Sequence, residues 1–400
     1  MPRFMTEVMG RVTHPKWAEY TNVDDWDEAE LIALIASDNM DREDLITAVG
    51  VHIKPTLISN FNAHSLGTLG ALSLEMLNQI CDDMDFLTLG TLSLTCRAAR
   101  VIFLNHPTMR LLIKHVANIP RILFFTGLTQ WISIRNLKAE LQFPLCRSCG
   151  ALGTCLFLPT CERLCQTCLE LNISYWCIPP IDAKQAFALE NEDLQTLPVV
   201  RIHERQFATR WPFNWGTMKT LIPTKCAWKA SVKKYGSAED ATHAAERISP
   251  DIYEDACAAE RHEAMVYRLL RQAQPTPEAN PILPLLYQTD PEHPKISATA
   301  LTAAAVLYPF VERTSSEPTT FYLCKGCNYP FEEQLDLCPD VLQILGFHPA
   351  SCPDSAANIL RYRGRFARTQ EQMLEHAKDC IGCGIIMWDD QATFAEISSI

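Results

Sequence analysis

The sequence lacks a hydrophobic run long enough to cross a membrane, for which about 20 consecutive apolar residues are needed. The apolar stretch RVIFLNHPTMRLLIKHVANIPRILFF is interrupted at Asn105, His106, Pro107, Arg110 and Lys114. The first residues, MPRFMTEVMGRVTHPKW, also lack the apolar core of a secretory signal. We therefore expect an intracellular protein, cytoplasmic or nuclear, that does not associate with membranes.

The sequence has fewer basic residues than acidic ones. The chain has 35 Lys and Arg residues against 47 Asp and Glu residues, which gives a formal net charge of −12. A chain of this charge is repelled by a phosphate backbone unless a local basic patch compensates. The composition therefore disfavours a nucleic-acid-binding protein.

The motifs of several common enzyme classes are also missing. The sequence contains no GxxxxGK(S/T), GxGxxG or GxSxG segment. The stretch RHEAMVY begins like the metalloprotease motif HExxH, but Val266 stands where the second histidine would be. Nothing in these patterns favours a nucleotide-binding enzyme, a serine hydrolase or a metalloprotease.

Cysteine, in contrast, is abundant and clustered. The 17 cysteines are an odd number and cannot all pair within one chain. Structural disulfides are also rare in the reducing compartments that we expect for this protein. Six of the cysteines fall within LCRSCGALGTCLFLPTCERLCQTCLELN. Metal binding therefore explains the clustering better than disulfide bonding does.

The first cluster has the spacing of a four-thiolate zinc site. Two CxxC pairs, separated by fifteen residues, supply the predicted ligands Cys146, Cys149, Cys165 and Cys168. A thioredoxin-like redox site would need a single CxxC at a helix N-terminus, which two paired motifs do not match. Between the pairs lie two cysteines that we interpret as small buried hydrophobic residues, Cys155 and Cys161.

A second cluster is spread over the C-terminal region. CKGC supplies Cys324 and Cys327, and HAKDCIGC supplies a histidine and two further cysteines. His376 and Cys380 are four residues apart and share one face of a helix, so they can bind one ion. The preferred quartet is Cys324, Cys327, His376 and Cys380; in the alternative quartet Cys383 replaces His376. Both clusters would be closed, so one or two zinc ions would serve folding and not catalysis.

A leucine-rich segment at 66–115 predicts three short helices. Apolar residues recur at helical spacing from Leu74 to Met84 and from Leu87 to Cys96, and arginines open a third helix. Aspartates separate the first two stripes. Three helices of this length provide too small a core to fold alone.

These residues resemble the F-box family, in which Leu-Pro-x-Glu, hydrophobic residues and an isoleucine are followed by leucines that lead into Cys-Arg. The pattern appears as LSLEML with Ile80, and later as TCR at 95–97. Ser73 replaces the usual proline and Ala99 an aromatic residue, which would weaken the helix start and the last packing contact. The residues that the resemblance assigns to adaptor binding are Leu72, Leu74, Glu75, Leu77, Ile80, Leu92, Cys96 and Arg97.

The cysteine layout is also similar to that of a large group of filamentous-fungal F-box proteins. This resemblance implies a non-catalytic substrate receptor of an SCF-type cullin-RING ubiquitin ligase. Its F-box would bind a Skp-type adaptor, and through it the cullin, while the zinc-stabilised remainder would hold an unknown target protein. The alternative is a zinc-finger nucleic-acid-binding protein or another structural zinc protein. A RING-like ligase would need eight interleaved ligands, which two clusters so far apart do not provide.

The predicted fold is mainly α with some β (α+β): N-terminal helices, a three-helix F-box and two zinc-stapled modules. Near the N-terminus, DDWDEAELIALIASDN predicts a helix with acidic residues in its first turn. The segment ISATALTAAAVLYPF at 296–310 also has a helical composition. The predicted divisions are 1–65 (helical), 66–115 (F-box), 140–178 (zinc module), 179–320 (mixed α+β, with a Pro-rich linker near 274–295) and 321–390 (zinc module).

Overall fold

The computed structural model describes residues 26–37, 66–203, 218–248, 304–315, 317–332, 363–380, 382–387 and 390. The Pro-rich linker at 274–295 and the HExxH-like stretch lie outside these residues. The described residues belong to two compact units. The terminal unit contains those within 1–41 and 320–400, and the central unit contains those within 42–265 and 273–319.

The elements follow in chain order. The terminal unit begins with helix α1 (Glu28–Ile35) and strand β1 (Ala36–Ser37). The first helices of the central unit are α2 (Leu74–Asp83), α3 (Phe86–Thr95), α4 (Arg97–Asn105), α5 (Pro107–Val116), α6 (Ile119–Thr126) and α7 (Ile134–Leu141). Its remaining elements are β2 (Cys155–Phe157), β3 (Glu162–Leu164), α8 (Gln166–Leu171), β4 (Cys177–Ile178), α9 (Pro180–Phe187), α10 (Asn191–Gln195), β5 (Val200–His203), β6 (Met218–Pro223), α11 (Thr224–Tyr235), α12 (Ala238–Ile248), β7 (Ala305–Leu307), β8 (Phe310–Val311) and β9 (Pro318–Thr319). The terminal unit resumes with β10 (Leu323–Cys324), α13 (Lys325–Glu332) and α14 (Gln370–Asp379).

The three helices predicted for the leucine-rich segment are present as α2, α3 and α4, and each begins at a side-chain cap. Ser73 Oγ accepts from the N–H of Met76 at 3.3 Å, and Asp85 Oδ1 accepts from the N–H of Thr88 at 2.8 Å. Cys96 Sγ has the same role at the start of α4. Such caps satisfy backbone donors that the first turn of a helix leaves unpaired. Side-chain caps therefore divide residues 74–105 into three helices, and a fourth helix that was not predicted, α5, begins within the same segment.

Strand β2 lies at the centre of a three-stranded antiparallel sheet with β3 and β7 on its two sides. The predicted helix at 296–310 is wrong for residues 305–307, which form β7. Ala305 and Val306 are buried against β2, and the ladder satisfies their backbone groups. Tertiary pairing therefore overrides the helical composition of this segment.

A second small sheet, in the order β4–β6–β5, packs against helices of the same unit. Its buried core contains Ile178 and Ile222 from the sheet and Ala183, Phe187 and Ala227 from α9 and α11. The predicted middle region is thus mixed α+β where it is described. Each of the two units contains helices and at least one small antiparallel sheet, so the fold belongs to the α+β class.

The terminal unit brings the start and the end of the described chain together. Strand β1 pairs antiparallel with β10, with Ala36 opposite Cys324. Asp27 caps α1, which buries Leu31 and Ile35 as its apolar pattern predicts. These side chains share one core with Met373 and with cysteines of the second cluster. A helix predicted as part of a separate N-terminal segment therefore covers the C-terminal cysteines.

Candidate metal centres

The first two cysteines of the first cluster lie in a tight turn. Leu145 and Leu152 form an antiparallel bridge that closes the turn. Inside it, the N–H of Gly150 donates to the carbonyl of Cys146 at 3.0 Å. The turn directs the thiols of Cys146 and Cys149 into the protein, where both are buried.

The second pair of the first cluster is positioned by the β2–β3 hairpin and α8. The hairpin returns the chain to the turn, and α8 begins directly after Cys165. Cys165 is the N-cap of α8, and its Sγ accepts from the N–H of Cys168 at 3.4 Å. The fifteen residues between the CxxC pairs therefore form a defined hairpin that sets the distance between the two pairs of thiols.

The first metal centre is a group of four thiols that can hold one ion. The Sγ atoms of Cys146, Cys149, Cys165 and Cys168 all lie within 4.8 Å of one another. Two thiolates bound tetrahedrally at about 2.3 Å would lie about 3.8 Å apart, and Cys149 and Cys165 are separated by 3.6 Å. All four residues are buried, which leaves no open position of the kind that a catalytic metal needs.

Hydrogen bonds among the four thiols of the first metal centre favour the thiolate form of Cys146. Burial raises the pKa of Cys146, but S–H groups of Cys149, Cys165 and Cys168 donate to it and hold its pKa well below the usual value. The two intervening cysteines behave differently. Burial raises the pKa of Cys161 well above its usual range, and Cys155 lies buried in β2. Neither belongs to the group of four, in agreement with their interpretation as small buried residues.

A buried arginine connects the first metal centre to α7 and to the residues that follow β7. Arg163 is fully buried in β3, and its five guanidinium N–H groups donate to the carbonyls of Glu140, Gly153, Tyr308 and Pro309. Burial lowers its pKa to about 10, so the side chain stays protonated at neutral pH. Its five bonds hold in place the hairpin that lies between the two CxxC pairs.

A second polar contact was not predicted from the sequence either. Lys225 Nζ donates to Glu162 Oε2 at 2.6 Å and to the Tyr175 hydroxyl at 3.2 Å. The side chain of Lys225 is only 12% exposed. Because these partners are distant in sequence, no local pattern indicates the contact, just as none indicates the contacts of Arg163.

The second cluster is built from two Cys-x-Gly-Cys segments and one helix. Cys324 ends β10 and Cys327 lies in the first turn of α13. His376 lies on α14, and Cys380 is the residue that ends this helix. The predicted spacing of four residues therefore places a histidine and a cysteine together at the C-terminus of α14.

The second metal centre comprises Cys324, Cys327, His376 and Cys380, whose ligand atoms all lie within 4.8 Å of one another. Cys380 Sγ lies 3.8 Å from the Sγ atoms of both Cys324 and Cys327. His376 Nε2 lies 3.3 Å from Cys327 Sγ. Tetrahedral zinc would separate two sulfurs by about 3.8 Å and a sulfur from a nitrogen by about 3.5 Å. This quartet, the preferred one from the sequence, is therefore close to metal-binding geometry.

The remaining cysteine of the alternative quartet also lies beside the second metal centre. Cys383 is buried, and its Sγ is 3.3 Å from Cys324 Sγ. The two Cys-x-Gly-Cys segments are in direct contact, because a Cβ at Gly382 would collide with the backbone of Gly326. Both glycines are thus required by a close approach of two backbones. This approach places Cys383 against Cys324, beside the group of four donors.

Hydrogen bonds also shift the pKa values of the second metal centre. S–H donation, chiefly from Cys327, lowers the pKa of Cys324 to about 6. Burial lowers the pKa of His376, but hydrogen bonds from its ring to Cys324 and Cys380 outweigh this effect and raise it to about 9. The thiols and the imidazole of this group therefore interact with one another as hydrogen-bond donors and acceptors.

The eight residues that the F-box resemblance assigns to adaptor binding lie on α2 to α4 or beside them, and none is buried. Leu74 is 58% exposed and Ile80 is 39% exposed, while Glu75 and Arg97 are also exposed. The remaining four are half-buried: Leu72, Leu77, Leu92 and Cys96. Phe86, Leu89 and Ala98 supply the buried faces of α3 and α4. Apolar side chains of this segment therefore remain at the surface after the central unit has folded.

The two departures from the family pattern have clear structural roles. Ser73, which stands where the family usually has proline, caps α2 by accepting a hydrogen bond from the N–H of Met76. Ala99 is buried, and its N–H donates to Cys96 Sγ at 3.4 Å. Cys96 therefore has an identifiable structural role as a helix cap.

Among the described residues, no helix is both long enough and apolar enough to cross a membrane. No protein-family model, curated protein or solved structure matches the chain.

Proposed function

We propose that this chain is the F-box substrate receptor of an SCF-type cullin-RING ubiquitin ligase, with two structural zinc ions. It binds a Skp-type adaptor through α2 to α4 and a target protein through the remainder of the chain. The exposed apolar side chains of α2 and α3 are the observation that carries the proposal. The resemblance of residues 72–97 to the F-box pattern identifies the partner that would cover them.

Zinc is the ion that suits both metal centres. Four thiolates, or three thiolates and an imidazole, are typical structural zinc ligands, whereas magnesium and calcium prefer oxygen. All four donors of the first group are buried; in the second group Cys324 and Cys327 are buried and His376 and Cys380 are half-buried. Both groups suit a closed tetrahedral site. An ion bound there contributes about 10–16 kcal/mol, as much as the stability of a whole domain. Each ion would therefore maintain the fold of its unit, and neither would take part in catalysis.

Adaptor binding would cover apolar surface that the central unit leaves exposed. Leu74, Met76 and Leu87 are each at least half exposed, and Leu94 is 81% exposed. Clusters of large apolar side chains on the surface of a soluble protein commonly mark interaction sites. Leu87 and Leu94 are seven residues apart on α3, a spacing that amphipathic helices use when they bind a hydrophobic groove.

The receptor would act by holding two proteins near each other. Tethering a target to the ligase raises its effective concentration beside the ubiquitin-charged enzyme, and this requires no catalytic group in the receptor. The two zinc-stabilised units would keep the target-binding surface folded. Function would then depend on the metal centres only through the stability of the fold.

Copurification tests this function. The tagged full-length chain would be captured from a eukaryotic cell extract, and bound proteins would be identified by mass spectrometry and with a purified Skp-type adaptor. We expect adaptor and cullin peptides with the wild-type chain. The variant Leu74→Asp/Ile80→Asp should lose both, because it places two charges on the exposed apolar face.

A matched control separates docking from folding. Gln79→Asp/Thr91→Asp adds the same charge at exposed polar positions of α2 and α3 and should keep adaptor binding. Both variants should retain the zinc content of the wild type. Failure of the wild-type chain to bind the purified adaptor, or equal binding by both variants, would contradict the proposed function.

A further inference from the structure

The second cluster contains one donor more than a zinc ion needs. Cys324, Cys327, His376, Cys380 and Cys383 lie together there, whereas structural zinc takes four ligands. Cys155 and Cys161 lie outside the group of four at the first metal centre. Cys383 also lies outside the second group of four, but its Sγ is 3.3 Å from the Sγ of a ligand, Cys324. The two metal centres therefore differ in the number of donors available.

The two candidates for the fourth ligand, His376 and Cys383, lie beside different shared thiols. Three thiols, those of Cys324, Cys327 and Cys380, are common to both possible quartets. His376 lies 3.3 Å from Cys327, whereas Cys383 lies 3.3 Å from Cys324. The histidine and the fifth cysteine are thus each adjacent to a different one of the shared thiols. His376 already completes a group of four donors, whereas Cys383 would have to move to do so. A single tetrahedral ion has room for only one of them.

We propose that the second metal centre has an exchangeable fourth ligand: His376 in the resting state, and Cys383 when the histidine is displaced. This inference rests on the metal-binding part of the proposed function. His376 is the resting ligand because its Nε2 lies within 4.8 Å of all three shared sulfurs. Cys383 is the reserve ligand because it is buried against Cys324 on the other Cys-x-Gly-Cys segment.

Exchange requires the sulfur of Cys383 to reach tetrahedral spacing from all three shared sulfurs. The distance between the sulfurs of Cys324 and Cys383 is 3.3 Å and would have to grow by about 0.5 Å to match a tetrahedral edge. The packing of Gly326 on Gly382 keeps the two segments in contact. With zinc, three thiolates and a histidine carry a net charge of −1, and four thiolates carry −2. In the exchange the bond from the ion to His376 Nε2 breaks, a bond to Cys383 Sγ forms, and the thiol proton of Cys383 passes to the released imidazole or to solvent. The set of four ligands therefore gains one negative charge while the ion stays bound.

The test counts metal ions in four purified full-length proteins: wild type, His376→Ala, Cys383→Ala and the double variant. Elemental analysis should find two equivalents of zinc in the wild type and in both single variants, and one in the double variant. In the cobalt-substituted His376→Ala protein, the sulfur-to-cobalt charge-transfer absorption should increase relative to wild type, because a fourth thiolate replaces the imidazole at this centre. Cys149→Ser is the matched control, since the first metal centre has no reserve donor and should lose its ion.

The zinc content of each variant supports or contradicts the exchange of His376 for Cys383. Loss of one equivalent in His376→Ala would overturn the exchange while leaving metal binding by the wild type intact. Loss of one equivalent in Cys383→Ala would show that the cysteine is a permanent ligand, which also overturns it. Retention of two equivalents in the double variant would show that a different donor completes the site. A wild-type protein with fewer than two equivalents would contradict both this inference and the metal-binding part of the proposed function.

Discussion

Arg163 and Glu140 are joined through both backbone and side chain. The N–H of Arg163 donates to a carboxylate oxygen of Glu140 at 3.0 Å, and its guanidinium donates to the Glu140 carbonyl at 2.7 Å. The pair connects α7, which packs on α2 and α5, to the hairpin of the first metal centre. One buried residue thus joins the leucine-rich helices to the cysteine cluster that follows them.

Replacing Arg163 with lysine should destabilise the central unit strongly. An ammonium group has three donors and cannot reach the four carbonyls that the guanidinium serves, so buried polar groups would lose their partners. At least two of the five bonds would be lost, at about 1–3 kcal/mol each, so we expect a loss of about 2–6 kcal/mol in the free energy of unfolding, measured by denaturant titration. Arg147→Lys is the control, because Arg147 is 39% exposed where it pairs with Glu140 and should cost less than about 1 kcal/mol. Equal losses would contradict a special role for Arg163.

Cys165→Ser should remove one equivalent of zinc and make the central unit sensitive to protease. Cys165 both provides a thiol and caps α8, so its loss affects the ion and the helix that carries Cys168. Elemental analysis and limited proteolysis provide the two measurements. Cys155→Ser, at a buried cysteine outside the group of four, should keep both ions. An unchanged zinc content in Cys165→Ser would eliminate the first metal centre.

Metal affinity at the second metal centre should rise with pH. In the ion-free state the pKa of His376 is raised to about 9, and hydrogen bonds to Cys324 and Cys380 raise that of Cys327 well above its usual value. Both groups therefore carry a proton at pH 7 that the ion must displace, whereas Cys324, with a pKa of about 6, is already a thiolate. Each displaced proton makes the affinity rise about tenfold per pH unit until the pH passes its pKa.

The combined effect is about hundredfold per pH unit between pH 7 and 9, and the slope should become steeper below pH 6, where Cys324 is protonated too. Competition with a zinc chelator of known protonation constants, at a series of pH values, measures this slope. An affinity that does not change with pH would show that these groups do not bind the ion.

Ser73→Pro should be tolerated and should leave adaptor binding unchanged. Ser73 has φ −66°, which proline adopts without strain, and the preceding Leu72 is extended, as a residue before proline prefers. The variant loses a cap of about 1 kcal/mol but restricts the unfolded chain, which offsets part of this loss. Ser73→Ala loses the cap without that offset. We therefore expect the alanine variant to have the lowest adaptor affinity and the lowest melting temperature, and the wild type and the proline variant to have similar, higher values. A proline variant less stable than the alanine variant would contradict this prediction.

The parts of the site that could be predicted from sequence depend on short separations. The CxxC pairs and the spacing between His376 and Cys380 are local patterns, and in the structure they lie in turns and at helix ends where their donors meet. Arg163 could not have been selected in the same way. Its partners Tyr308 and Pro309 are more than a hundred residues away in the chain, and nothing in the local sequence separates a buried arginine from an exposed one.

The sequence by itself determined the helices α1 to α4 and the donor types at both metal centres, because capping residues, apolar spacing and paired cysteines act over a few residues. Only the tertiary structure decided that residues 305–307 form a strand, that α1 packs on the C-terminal cysteines, and that Cys383 lies against Cys324. These outcomes depend on which distant backbone is available for pairing and which apolar faces are left to bury, and no local pattern in the chain contains that information.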